Sequence, residues 1–153
     1  MFRNLLSRLL GDNGPSGSLS PVDAEVAIAA LLVRIARADD HYTDREAARI
    51  DRILAQRRGI SIDQAAERRS AAEMIEAEAP DTVRFTKLIK ERVALDDRQA
   101  VIRAMWDVAL SDGSRTADEE TLIRLVSGLL GVTDRDSALE RQKILRRQGL
   151  AAG

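Results

Sequence analysis

The sequence predicts an all-α protein, a single compact bundle of about seven helices with an internal helix-turn-helix duplication. Three observations carry that prediction. Segment after segment beyond residue 20 repeats its apolar residues near a period of 3.6, the breaks between segments carry helix caps, and no stretch alternates convincingly with the period of two of a half-buried strand. A chain of 153 residues suits one domain that buries about 68–70% of the surface its unfolded form exposes.

Phe2, Leu5, Leu6, Leu9 and Leu10 fall at i, i+3, i+4, i+7 and i+8, with Arg3 and Arg8 off that stripe, so residues 1–10 read as a short amphipathic helix. "GDNGPSGSLS", residues 11–20, holds three Gly, three Ser and a Pro without apolar periodicity and reads as a flexible linker. The helical domain then spans residues 21–149.

Ser20 as N-cap and Pro21 at the first helical position open a helix to about Ala38 that buries Val26, Ala30 and Val33. Thr43 starts the next, which runs through Ile50, Ile53 and Leu54 to about Arg57 and stops before Gly59. Ser61 with Gln64 forms a capping box for an alanine-rich helix to about Ala79, ended by Pro80. Val83, Phe85, Leu88, Ile89 and Val93 make the following apolar face. A helix over Asp96 to Leu110 places Val101, Ile102, Met105, Val108 and Ala109 inside, with Trp106 read as core. Thr116 opens another that carries Leu122, Ile123, Val126 and Leu129 before Gly131. Thr133 caps the last, with Leu139, Ile144 and Leu145, fading at Gly149.

Composition excludes several function classes. With 24 Lys and Arg against 25 Asp and Glu the net charge is −1, and with four aromatic residues the chain lacks the stacking platforms of a nucleic-acid binder, so nucleic acid is not an expected partner. The basic ends of helices, including "AQRRG" and the last helix, are explained by the helix dipole and solubility. Without cysteine there is no disulfide, thiol nucleophile or thiolate metal site. The longest apolar stretches, such as "AIAALLV", are far short of the ~20 residues that span a bilayer. Arg8 interrupts the apolar start, which therefore does not resemble a signal peptide, and the expected location is cytoplasmic, with weak contact at the cytoplasmic membrane face as an option.

Two acidic corners stand out. "RADDHYTDREAARI" and "LSDGSRTADEETLI" align at an offset of 73 and share the skeleton A-x-x-D-x-x-x-T-x-x-E-x-x-x-I, matching Asp39 with Asp112 and Glu46 with Glu119. In each, Thr as N-cap with Glu at N3 is a capping box, so Glu46 and Glu119 have a structural task available. Asp39 and Asp112 lie at helix C-termini, where the dipole disfavours an anion and something must compensate: the next helix N-terminus, a nearby Arg or a cation. If the corners face each other, Asp39, Glu46, Asp112 and Glu119 converge as ligands for a hard divalent cation such as calcium or magnesium. The second corner is no EF-hand, since position 12 counted from Asp112 is Ile123. His41, the single histidine, is either a transition-metal ligand with Asp39 and Asp44 or an exposed turn residue.

Over about Pro21 to Leu145, on these two corner motifs, the chain resembles the TerB-like family, named after tellurite-resistance protein B, whose domain also occurs in a membrane-anchored DnaJ-like co-chaperone. It departs from the family pattern at Asp40, where Gly is usual, and at Arg115, where an apolar residue is usual; Asp40 tolerates a left-handed turn. The resemblance implies a stress-response module of the tellurite-resistance type whose acidic surface meets a metal or a partner.

Catalysis is not expected. One His, no Cys, no Gly-rich phosphate loop and no H-E-x-x-H leave few nucleophile–base pairs. The expectation is a non-enzymatic module that engages a protein partner or a divalent cation. The alternative is a peripheral membrane adaptor or structural homodimer acting through Phe2, Leu5, Leu6, Leu9 and Leu10.

Overall fold

The computed structural model describes residues 5–6, 9–10, 20–79, 81–111 and 117–152, with side chains through Gly149. Among them are seven helices: α1 (Pro21–Arg37), α2 (Asp44–Arg58), α3 (Ile62–Glu78), α4 (Thr82–Arg92), α5 (Leu95–Ala109), α6 (Ala117–Leu129) and α7 (Asp134–Ala152). Their starts follow local chemistry. The Ser20 hydroxyl accepts from the Asp23 N–H at 3.0 Å with Pro21 beside it, and Thr43 and Ser61 close complete capping boxes with Glu46 and Gln64. Asp81 and Thr133 accept the N–H groups of Val83 and Asp136. Gly59 ends α2 at φ +62°, and Gly131 follows α6 at φ +73°, a conformation that a side chain disfavours.

α1 is the axis. Every residue from Ala24 to Val33 is buried, so its whole circumference is covered, as expected of a helix apolar on all sides. α2, α3, α4, α5 and α6 all pack against it, while α7 lies on α5 and α6. Phe85, Leu88 and Ile89 of α4, Ile102 and Met105 of α5 and Ile123 of α6 complete the core. Leu5 and Leu9, in helical conformation, belong to the same cluster at 0% and 1% exposure.

Two faces differ from the sequence-based expectation. Val83 is half exposed and Thr86 is buried in α4, its hydroxyl bonded to the Val83 carbonyl at 2.8 Å. In α7, Ile144 is buried but Leu139 and Leu145 are exposed. That helix packs by Ser137, Glu140 and Ile144, a stripe made burial-tolerant by partners. Ser137 accepts from the Trp106 indole at 3.1 Å, and Glu140 pairs with Lys143 at 3.1 Å. α7 also continues past Gly149.

Arginines knit the helices. Arg34 of α1 donates to the Glu76 carboxylate and carbonyl, to the Ala79 carbonyl at 2.6 Å and to the Thr82 hydroxyl at 2.9 Å, and lies over the Phe85 ring. It thus satisfies carbonyls at the end of α3 beside the start of α4.

Candidate functional site

The first acidic corner is built between α1 and α2. α1 stops at Arg37, Ala38 closes the last turn, and Asp40 reverses the chain at φ +63°, the left-handed conformation that Asp tolerates better than most residues. The Asp39 carboxylate accepts the His41 N–H at 3.0 Å, which supplies the compensation that an anion at a helix C-terminus needs. The His41 ring Nδ1 donates back to the Asp39 carbonyl at 2.7 Å, so this imidazole nitrogen is engaged within the turn.

Glu46 points inward. It is 3% exposed, its Oε1 accepts the Thr43 N–H at 3.0 Å and the Thr43 hydroxyl at 3.1 Å, and its own N–H donates to the Thr43 hydroxyl oxygen. The structural task of a capping box is therefore carried out. Asp40, His41 and Asp44 remain exposed at the tip. Glu119 is likewise buried in α6, whereas Asp112 and Thr116 lie outside the described residues, as does Phe2. The duplication and the facing of the two corners thus extend beyond what the geometry describes. Among the described residues, no group of three or more His, Asp or Glu is placed to hold a metal ion.

The corner is braced from beneath by residues that sequence reasoning did not single out. Arg37 bonds Glu76 at 2.9 Å and lies over the Tyr42 ring. The Tyr42 hydroxyl donates to Glu73 at 2.6 Å, and Arg69 ties Glu73 to Asp51. Burial first and then the Glu73 carboxylate push the Tyr42 phenol above its ordinary range, so it stays a neutral donor. The hydrogen bond from Arg69 to Asp51 is the main reason the guanidinium holds its proton more tightly than usual. An aromatic residue placed between the turn acid and the N-cap was the one local signal of this support.

Of the N-terminal candidates, Leu5 and Leu9 are core, Leu6 packs partly buried against it, and Leu10 is 58% exposed. Among the described residues no helix is long and apolar enough to cross a membrane.

An all-helical domain arranged around a buried central helix, with a cap-braced acidic turn at one end, is the class that fold and corner define. The chain belongs to the TerB family: residues 25–142 match the family model described as tellurite resistance protein TerB. That span runs from within α1 into α7 and takes in both corners. No match was found among curated proteins or among solved structures. Membership implies a role of the tellurite-resistance type in a family that is generally not catalytic.

Proposed function

We propose that this chain is a non-enzymatic interaction module of a tellurite-resistance-type stress response, and that its acidic corner engages a protein partner. One observation supports the reading most. Glu46 is folded into the cap while Asp40 and Asp44 stand exposed on a turn held by the Asp39–His41 bonds and the Arg37–Tyr42–Glu73 brace. A rigid turn with exposed carboxylates loses little freedom on docking, which favours recognition by a basic surface. A divalent cation is the competing occupant, and the inward use of Glu46 weighs against it, because that carboxylate is already committed to backbone and hydroxyl donors. Burial of Leu5 and Leu9 favours the fold over a membrane or a second copy as the place of the N-terminal segment.

The test is site-directed photo-crosslinking in tellurite-challenged cells, with the probe at position 40 or 44 and, as control, at exposed Met74 on α3. A discrete adduct from the corner and none from Met74 is expected; equal labelling at both would overturn the proposal. An amide NMR titration of the chelator-stripped protein with calcium, magnesium, manganese and zinc runs beside it. Saturable shifts confined to residues 39–46, lost in Asp39→Asn, would assign the corner to an ion instead.

A further inference from the structure

On a different face, α2, α5 and α7 enclose an open groove of about 460 Å³, within the ~300–1,000 Å³ typical of ligand sites. Its lining is of two kinds. Ile53, Ala100, Ala104 and Ile144 supply an aliphatic strip from all three helices, and Arg57, Arg58, Arg103 and Arg147 supply cationic walls, with Asp97 and Asp107 also at its edge.

Three of the four arginines, Arg57, Arg58 and Arg103, pair with buried acids, whereas Arg147 stands exposed at the groove edge. Glu25 of α1, 3% exposed, takes a two-pronged bond from Arg57 at 3.2 and 3.1 Å and a further one from Arg58 at 3.2 Å. Asp107 of α5 pairs with Arg49 at 3.2 Å and feels the charges of Arg147 and Arg52. Among the described residues the balance is positive: Glu25 faces both Arg57 and Arg58, and Asp107 faces Arg49, Arg147 and Arg52, while Arg103 is offset by Glu140 at 3.6 Å and Asp97 stands nearby. A chain whose total charge is −1 thus concentrates fixed guanidinium charge along one groove. Fixing Arg57, Arg58 and Arg103 in advance lowers the ordering cost of binding an anion.

We propose that this groove is a docking site for an acidic amphipathic peptide segment, whose aliphatic side chains lie on Ile53, Ala100, Ala104 and Ile144 while its carboxylates meet Arg57, Arg103 and Arg147. The aliphatic strip decides between anions. A sugar–phosphate backbone gains nothing from buried isoleucine and alanine, and the lining offers no aromatic face on which a base could stack. An acidic segment with apolar residues on one side uses both parts of the groove. This surface is independent of the acidic corner, and its opposite sign selects a different partner chemistry.

The test is fluorescence anisotropy of the full chain with a fluorescein-labelled peptide of Leu and Glu at helical i, i+3, i+4 spacing. Inorganic phosphate and a short single-stranded oligonucleotide serve as competitors at matched ionic strength. Saturable binding below millimolar is expected, weakened about tenfold or more by Arg147→Glu and by Arg103→Glu and little changed by Arg147→Lys or by Asp39→Asn at the corner. Thermal melts of each variant confirm that the fold persists; Arg147 is exposed on α7, so its reversal leaves the core alone. Equal binding by wild type and the reversed variants, no saturation below millimolar, or displacement by the oligonucleotide at lower concentration than by unlabelled peptide would overturn the proposal.

Discussion

Glu25 puts a carboxylate in the stretch from Ala24 to Val33 that is otherwise apolar and wholly buried, and its two arginine partners decide what that does to stability. Burial alone would raise its pKa, but the hydrogen bonds and charges of Arg57 and then Arg58 outweigh it and hold the group below its ordinary value of 4.5. Its ionised form is therefore favoured by folding. That contribution is fully present above pH 4.5 and is lost as the pH falls from there through the lower folded value. Asp107 works in the opposite sense. Burial leads over the attraction of Arg49, Arg147 and Arg52, so its pKa lies above 3.8 and its ionisation costs stability as the pH rises through the folded value. Glu25→Gln is expected to lower stability by about 2 kcal/mol at pH 7 in urea unfolding, less than for a wholly buried pair because Arg58 is half exposed. The deficit should shrink towards pH 3; a deficit that stays constant across that range would contradict the assignment.

At the scale of elements, most of the architecture was legible because caps are local. Ser20, Thr43, Ser61 and the stop at Gly59 are each decided by a few neighbouring residues, and each is found where the sequence puts it. Thr43→Ala should remove the hydroxyl half of the box, the bonds between the Thr43 side chain and Glu46, while the backbone N–H at 43 keeps its bond to the Glu46 carboxylate, and should cost about 1 kcal/mol, with faster hydrogen exchange at the first amides of α2. Unchanged exchange there would show that the corner is held by the Tyr42 brace alone. The acidic tip itself was legible, but its support was not. Arg37 to Glu76 and Tyr42 to Glu73 join residues more than thirty positions apart, and no period or spacing in a single sequence marks such pairs. α7 hid its packing face for the related reason that buried Ser137 and Glu140 look like surface residues until Trp106 and Arg103 of α5 are placed beside them.

For the whole molecule, the N-terminal stripe shows where reading by periodicity stops. Five large apolar residues at helical spacing predict an amphipathic segment, yet the pattern is the same whether the segment covers its own bundle or something else. Leu5 and Leu9 inside the core make it part of the fold. Leu9→Ala is therefore expected to cost about 2–4 kcal/mol, against less than ~0.5 kcal/mol for the exposed Leu10→Ala, measured by chemical denaturation. Equal, small losses at both would detach the segment from the domain. The groove between α2, α5 and α7 was invisible in the sequence because its arginines sit in pieces that read as ordinary basic helix ends. A ribosome making this chain releases α1 with its apolar circumference bare. α5 ends at Ala109 and α6 at Leu129, 72 and 92 residues beyond Arg37, so at ~5–20 residues per second the last covers arrive ~4–18 s later. Until α3 lies down on it, the stretch from Ala24 to Val33 is the part of the nascent chain most open to holding chaperones and to self-association.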